Sequence, residues 1–339
     1  MFDTLTYTQQ LARYKAAAEQ VVAAFGLRDY DITPLSYVGN AIFAVDCQRG
    51  PHVLRIPRPG HPPLNWIESE MRWLADLNAQ THLCAPQPVK TLTGKWLAMT
   101  AVEGIPTALP AVLLTWIEGE SRQAEDLTPT DVEQIGAFLA RLHEFSATYR
   151  SSSDFARPRL DWEGLFGANS PYNPGAGAAI FQPEQIAVMD TVAERVRAVM
   201  QALDADANTF GMIHGDFITK NTLFQGDHVC ALDFEYCAFG YFLYDLAPAL
   251  LGLSPLPHYL TLKAALWQGY TAHRPLPDHY RDYLETFVAG RHVASCRWIA
   301  SNLDNPQVRE RAPQILADRT DELRDFLRTG RLERKSAIL

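Results

Sequence analysis

The chain has 339 residues, 47% hydrophobic and 20% charged, which excludes a disordered polypeptide and exceeds the length at which one core usually splits into two lobes. Its net charge of −9 is uneven, because residues through Ile117 carry 9 basic and 9 acidic side chains whereas the remainder carries 21 and 30. An acidic second part argues against nucleic acid as a partner, since phosphate neutralisation needs a basic face, and suits either a cationic substrate or plain solubility.

Taken in order, Tyr7 to Phe25 spaces Leu11, Tyr14, Ala18, Val21, Val22 and Phe25 as one helical face and stops at Gly26. Ile32–Tyr37, Ala41–Cys47 and His52–Ile56 are strand-like runs broken at Gly39-Asn40 and Gln48-Arg49-Gly50-Pro51, a β-meander. Pro62 to Asn78 is helical, with Ile67, Met71, Leu74 and Leu77 along one side. Cys84–Val89, Thr91–Gly94 and Trp96–Thr100 continue the sheet through a turn, and Val112–Ile117 is a further β-run. A lobe boundary is expected there, giving lobes at 1–117 and 118–339.

Thr128-Pro129 opens a helix over Thr130–Ser146, on which His143 reads as a packed structural histidine. Ser151–Asp154 and Gly164–Gly177 read as loops and Pro183–Leu203 as a helix. Phe239-Gly240 and Tyr244-Asp245-Leu246-Ala247 start a terminal helical section with helices near Tyr259–Thr271, His279–Ser301 and Pro313–Thr329. In the second of these Arg291, His292, Arg297 and Trp298 either pack or face a substrate. The mixed-charge tail from Arg331 to Leu339 is expected to fray.

The stretch from His214 to Asp233 carries the chemistry. Asp216 and Asn221 lie five apart on a loop after the apolar run Phe210–Ile213, and a hairpin-like pair of runs around Gln225–His228 then delivers Asp233. Phosphoryl transfer needs this set: one carboxylate to orient the attacking hydroxyl and accept its proton, and an amide oxygen with a second carboxylate to hold magnesium. A bland alternative is a tight turn whose Asp and Asn bond their own backbone. Asp233 weighs against it, because a carboxylate after a buried strand needs a partner or an ion. A hydrolase metal site built on His214, Asp216 and Asp233 is a rival, but leaves Asn221 and the β-rich front unused.

His214-Gly215-Asp216-x-x-x-x-Asn221, with Leu232-Asp233-Phe234-Glu235 and Tyr244-Asp245-Leu246-Ala247, resembles the aminoglycoside phosphotransferase and choline kinase-like family of the protein-kinase-like fold. Within it the bacterial homoserine kinase-like and stress-response kinase-like group is the most similar, and the likeness extends loosely from Tyr37 to Ala247. The resemblance implies an α+β, bilobal fold with an antiparallel β-sheet N-lobe, a larger mainly helical C-lobe and ATP in the cleft. It implies Asp216 as the catalytic residue and Mg2+ on Asn221 and Asp233. Gly39 falls where kinases fold a glycine-rich loop (Val38-Gly39-Asn40 has only one glycine), and Arg55 stands where most carry a phosphate-binding lysine, with Arg58 as its rival. Glu70, rather than Glu68, would pair with Arg55. Leu114, Thr115 and Trp116 would meet the adenine edge through backbone groups. Asp245 would pin the active-site loop through its N–H groups, His214 would brace it, and Glu235 on an extended chain would point the same way as Asp233.

The function implied is an ATP-dependent phosphotransferase moving the γ-phosphate to a hydroxyl of a small molecule, whether an amino alcohol, a sugar or an aminoglycoside-like compound. A serine/threonine protein kinase of the stress-response type and a non-catalytic nucleotide-binding module are the alternatives. The five cysteines form an odd set without a Cys-x-x-Cys pair, which argues against a disulfide framework or zinc knuckle and for buried thiols. With no basic-then-apolar leader pattern and no run of about 18 apolar residues, a cytoplasmic protein without a membrane partner is expected.

Overall fold

The computed structural model describes residues 2–37, 39–170, 172–204, 206, 208–303 and 305–336. Val38 of the expected phosphate loop and residues 337–339 of the tail lie outside the described residues. The chain forms two compact units, Met1–Glu118 with Ser151–Ala156, and Gly119–Arg150 with Arg157–Leu339.

In the first unit, helix α1 (Tyr7–Val21) starts at a capping box in which Thr6 and Gln9 satisfy each other's backbone N–H groups. The strands are β1 (Asp31–Tyr37), β2 (Asn40–Asp46), β3 (His52–Pro57), β4 (Pro88–Val89), β5 (Ala98–Thr100) and β6 (Leu109–Thr115). They form one antiparallel sheet in the order β1-β2-β3-β6-β4, with β5 also on β6. The alternation legible in the sequence is the reason: Ala41, Phe43 and Val45 of β2 are buried while the residues between them are half-buried. These side chains and Leu54, Ile56 and Leu113 form a core with Tyr14, Ala18, Val22 and Phe25. Helix α2 (Leu64–Gln80) buries Ile67, Met71, Trp73, Leu74 and Leu77. Ser151–Ala156 returns to this unit, where Asp154 pairs with Arg72 at 2.6 Å and the Ala156 N–H donates to Ser69.

The second unit is mainly helical. In chain order it contains α3 (Pro129–Thr148), β7 (Arg159–Leu160), α4 (Trp162–Phe166), α5 (Pro183–Leu203), β8 (Phe210–Ile213), β9 (Thr222–Gln225) and β10 (His228–Ala231). There follow β11 (Ala238–Tyr241), α6 (Phe242–Asp245), α7 (Ala247–Leu253), α8 (Tyr259–His273), α9 (Leu284–Ser301) and α10 (Pro306–Thr329). Helices α3 and α8 approach backbone to backbone: a Cβ on Gly136 would lie 2.2 Å from the Leu266 oxygen, and one on Gly269 1.9 Å from the Glu133 oxygen. Only glycines permit that crossing.

The structure departs from the sequence expectations in five places. Ala238–Tyr241 is a strand, parallel to β7 and antiparallel to β8, not the opening of a helical section. The loop expected over Gly164–Gly177 contains the end of α4 and the start of a 3₁₀ turn at Gly175–Ile180. Pro313 lies inside α10 instead of opening it. The tail through Ser336 is hydrogen-bonded to Glu285 and Glu322 rather than frayed. Cys47, Cys237 and Cys296 are free thiols, whereas Cys84 and Cys230 are each in a disulfide. Among the described residues no helix is long and apolar enough to cross a membrane.

Candidate active site

In the second unit the buried strand β8 ends at Ile213, and the chain turns at Gly215 with φ 80°. A Cβ there would sit 2.3 Å from the Tyr236 oxygen, so the loop carrying Asp216 lies directly against the loop that follows Asp233. Strand β11 returns beside β8 with Ala238 opposite Ile213, so both loops leave from and return to neighbouring strands. Asn221 closes a 3₁₀ turn; its Nδ2 donates to the Asp216 carbonyl at 2.9 Å and reaches Asp216 Oδ2 at 3.4 Å. Its own carbonyl accepts the Leu232 N–H at 2.8 Å, one residue before Asp233. Asp216, Asn221 and Asp233 are thereby tied together across the β9–β10 hairpin. Asp233 is exposed and adopts φ 56° and ψ 73°, a left-handed conformation that a non-glycine residue holds only when its surroundings impose it.

Asp245 fixes this loop. Its Oδ2 accepts the His214 N–H at 2.8 Å and its Oδ1 the Gly215 N–H at 2.7 Å, while His143 Nε2 donates to Oδ2 at 3.0 Å. Burial works against charge on the Asp245 carboxyl, but the hydrogen bonds from His143 and from the His214 N–H outweigh it and hold it below the usual carboxylate range. Complete burial lowers His143 below its ordinary value, so it is a neutral imidazole whose Nδ1 accepts from Tyr270 at 2.9 Å. His214 uses both ring nitrogens on backbone: Nε2 donates to the Leu232 carbonyl at 2.9 Å and Nδ1 accepts the Asp216 N–H at 3.3 Å. A histidine so engaged braces the loop and has no nitrogen left for a metal, which removes the hydrolase rival.

Two arginines were not assigned roles at this site from the sequence. Arg291 on α9, read only as one of a packed or substrate-facing group, places Nη2 2.6 Å from Asp216 Oδ1. Arg157, not singled out at all, donates from Nε to the Cys237 carbonyl at 2.6 Å and from Nη2 to the Glu235 carbonyl, holding the loop after Asp233. Sequence offers no signal for either, since their partners lie about 80 positions away. Glu235 sits in a 3₁₀ turn, so the expectation from an extended chain that it shares Asp233's side does not apply.

In the first unit Arg55 and Glu70 form an ion pair at 2.7 Å with side chains 8% and 2% exposed, on β3 and α2. The rival Arg58 lies over the Tyr37 ring, 5.9 Å from its centroid. Gly39 is exposed at the bend between β1 and β2 and has open space around it. Leu114 ends the buried part of β6. The Thr115 N–H donates to the Gln87 carbonyl and the Trp116 N–H to the Pro51 carbonyl, which removes both from the donors left for a base.

The sequence profile of the phosphotransferase enzyme family matches residues 31–283. The chain belongs to that family. Proteins similar to it include the homoserine kinase of Gluconobacter oxydans, 28% identical over 86% of this chain and 90% of its own length, and that of Methylobacterium nodulans, 29% identical over 71% of each. A microcompartment-associated aminopropanol kinase superposes with a TM-score of 0.81 at 22% identity, covering 94% of this chain and 99% of that one. Amicoumacin kinase hAmiN, solved with AMP-PNP, Ca2+ and Ami, does so with a TM-score of 0.75 at 18% identity over 94% and 96%. The fold is thus α+β and protein-kinase-like, and the phosphotransferase is a small-molecule kinase with a hydroxyl acceptor that uses a nucleotide.

Proposed function

We propose that the enzyme uses Mg2+-ATP and that Asp216 is the catalytic carboxylate, orienting the acceptor hydroxyl and taking its proton. What carries this reading is the bonding of Asn221 to Asp216 on one side and to Leu232, beside Asp233, on the other. The Asn221 amide nitrogen is spent on Asp216, so its oxygen is the atom available to a cation, and Asp233 adds an exposed carboxylate. One amide oxygen and one carboxylate fit Mg2+, which keeps waters and nucleotide oxygens as its other ligands. Bound there, the ion would neutralise charge on the phosphates.

In this proposal Arg55, fixed by Glu70, grips the nucleotide phosphates with a two-pronged guanidinium where most kinases use lysine. Residues 1–117, with Gly39 and the Leu114–Trp116 stretch, serve the nucleotide, and residues 118–339 serve catalysis and the acceptor. The site of action is the cytoplasm. Homoserine and other small amino alcohols are the first acceptors to test, in view of the named activities of the relatives.

Asp216→Asn keeps the shape and removes the base. It should lower kcat for ADP release about 10²–10⁴-fold, the usual worth of a positioned base, while the dissociation constant of a non-hydrolysable ATP analogue changes less than about threefold. A variant retaining a tenth of wild-type turnover would refute the assignment.

A further inference from the structure

Asp216 stands on a loop, and its carboxylate has two equivalent oxygens on a terminal torsion that turns easily unless a neighbour fixes it. Arg291 is that neighbour. Its Nη2 lies 2.6 Å from Asp216 Oδ1, with both side chains less than a fifth exposed. Burial opposes charge on the guanidinium, but Asp216 outweighs it, so Arg291 stays a cation. Oδ2 is held far less firmly: Asn221 Nδ2 reaches it only at 3.4 Å, well beyond the usual bond of about 2.9 Å. The two oxygens of one carboxylate are thus unlike, one spent and one open.

The arginine brings a helix to bear on the loop. Helix α9 is buried along most of its length, and next to Arg291 the ring of His292 is bonded to Glu322 of α10 at 2.7 Å. Two turns further along the same face, Trp298 donates from Nε1 to the Tyr236 hydroxyl at 3.1 Å. Tyr236 belongs to the 3₁₀ turn that follows Asp233. At 1.5 Å per residue the two anchors lie about 10 Å apart along the axis. One helix therefore holds the Asp216 loop at one point and the loop after Asp233 at another, while the two loops meet at Gly215 and Tyr236. Groups fixed from a packed helix are placed more precisely than groups left to a loop. Arginine's planar donors also hold a carboxylate in a defined orientation, where a lysine would hold it by charge alone.

We infer that Arg291 is a positioning residue for Asp216: by holding Oδ1 it aims Oδ2 at the acceptor, and Oδ2 is the oxygen that receives the hydroxyl. In the transfer the acceptor oxygen bonds the γ-phosphorus of ATP, the bond from that phosphorus to the bridging oxygen breaks and ADP leaves with its electron pair, and the hydroxyl proton goes to Oδ2. This rests on Asp216 being the catalytic carboxylate, as proposed above, and adds which oxygen acts and what aims it. Arg291 itself touches neither substrate nor nucleotide in this account.

The test measures ADP release with the fastest acceptor in a panel of amino alcohols, hydroxy amino acids, sugars and aminoglycosides, for wild type, Arg291→Gln and Arg291→Lys, and for all three again in the D216N background. R291Q should lose about 10–100-fold in kcat, the usual cost of a misplaced reacting group, while KM for ATP and the dissociation constant of AMP-PNP change less than about threefold. R291K, which keeps the charge, should recover part of the loss. In the D216N background the same substitutions should change kcat less than about threefold, because no carboxylate is left to aim. A residue that only supports the fold would lower kcat by the same factor in both backgrounds, and that result overturns the inference. So does wild-type kcat in R291Q. Either leaves Asp216 as the catalytic carboxylate, since D216N alone is still impaired. Where the single variants do not fold, a crystal structure of wild type with AMP-PNP and the acceptor decides. The hydroxyl should lie within about 3 Å of Oδ2 with Arg291 still on Oδ1, and a hydroxyl on Oδ1 overturns the inference. Turnover in D216N equal to wild type with every acceptor removes the Asp216 reading and this one together.

Discussion

A carboxylate that touches no substrate can still decide whether one is turned over. Asp245 offers its two oxygens to three donors inside a fully buried site, and two of these are the consecutive backbone N–H groups of His214 and Gly215. Asp245→Ala leaves all three donors without an acceptor and should cost about 3–5 kcal/mol, the penalty of breaking a buried charged network. Asp245→Asn turns an amide NH2 toward at least one donor and should recover only part of that. Urea titrations measure both, and kcat should fall in step because the Asp216 loop loses its anchor; full stability in D245A would refute the account. At this scale the sequence was most informative where partners are close along the chain or set by a motif. Asp216, Asn221, Asp245 and the Arg55–Glu70 pair were all named from it. Arg157 and Arg291 were not legible as site groups, because what makes them matter is a fold-dependent contact across most of the second unit.

The elements carry a second lesson through Gly215. Its φ of 80° and the Tyr236 oxygen 2.3 Å from a would-be Cβ make it the seam between the Asp216 loop and the loop after Asp233. Backbone, unlike a flexible side chain, cannot step aside. Gly215→Ala should therefore separate the two loops by several tenths of an ångström and lower kcat at least about tenfold, since small misplacements near reacting groups are costly. Its stability loss should be about 1–3 kcal/mol, the range for a strained backbone position. Kinetics and thermal melting on the same variant check this, and wild-type kcat in G215A would show that the seam is unimportant. The strand that makes this seam, β11, was not foreseen. Ala238–Tyr241 has no β-branched residue and contains a glycine, and its partners on β7 and β8 lie 80 and about 25 positions away. By contrast α5 was predicted with its observed ends, Pro183 and Leu203, because a proline at the helix start and a long apolar periodicity are local signals.

For the molecule as a whole, the response to acid should be governed by how the C-terminal segment is fastened. Glu322 on α10 accepts the backbone N–H groups of Lys335 and Ser336, the Ser336 hydroxyl, and His292 Nε2 at 2.7 Å, while Glu285 accepts the Leu332 N–H at 3.1 Å. Burial opposes charge on Glu322, but His292 and the two N–H groups outweigh it and keep its carboxyl below the usual range. Burial lowers His292 to about 4, against the bond from Glu322, and its Nδ1 has no partner, so the imidazole is neutral in the folded protein. The unfolded chain takes up a proton at this histidine near pH 6.5. Between about pH 6.5 and 4 the unfolded state therefore binds one proton more than the folded state, and stability falls as pH falls. At about 1.4 kcal/mol per pH unit, this one residue should remove about 3 kcal/mol by pH 4, with Glu322 adding its share only below about pH 4.5. His292→Gln can keep a hydrogen bond to Glu322 and cannot titrate. Its unfolding free energy plotted against pH from 6.5 to 4 should be shallower than wild type by about one proton, as measured by urea titration at half-unit steps. Parallel curves for the two proteins would mean that His292 takes its proton while still folded, and that the tail is fastened by an ion pair with Glu322.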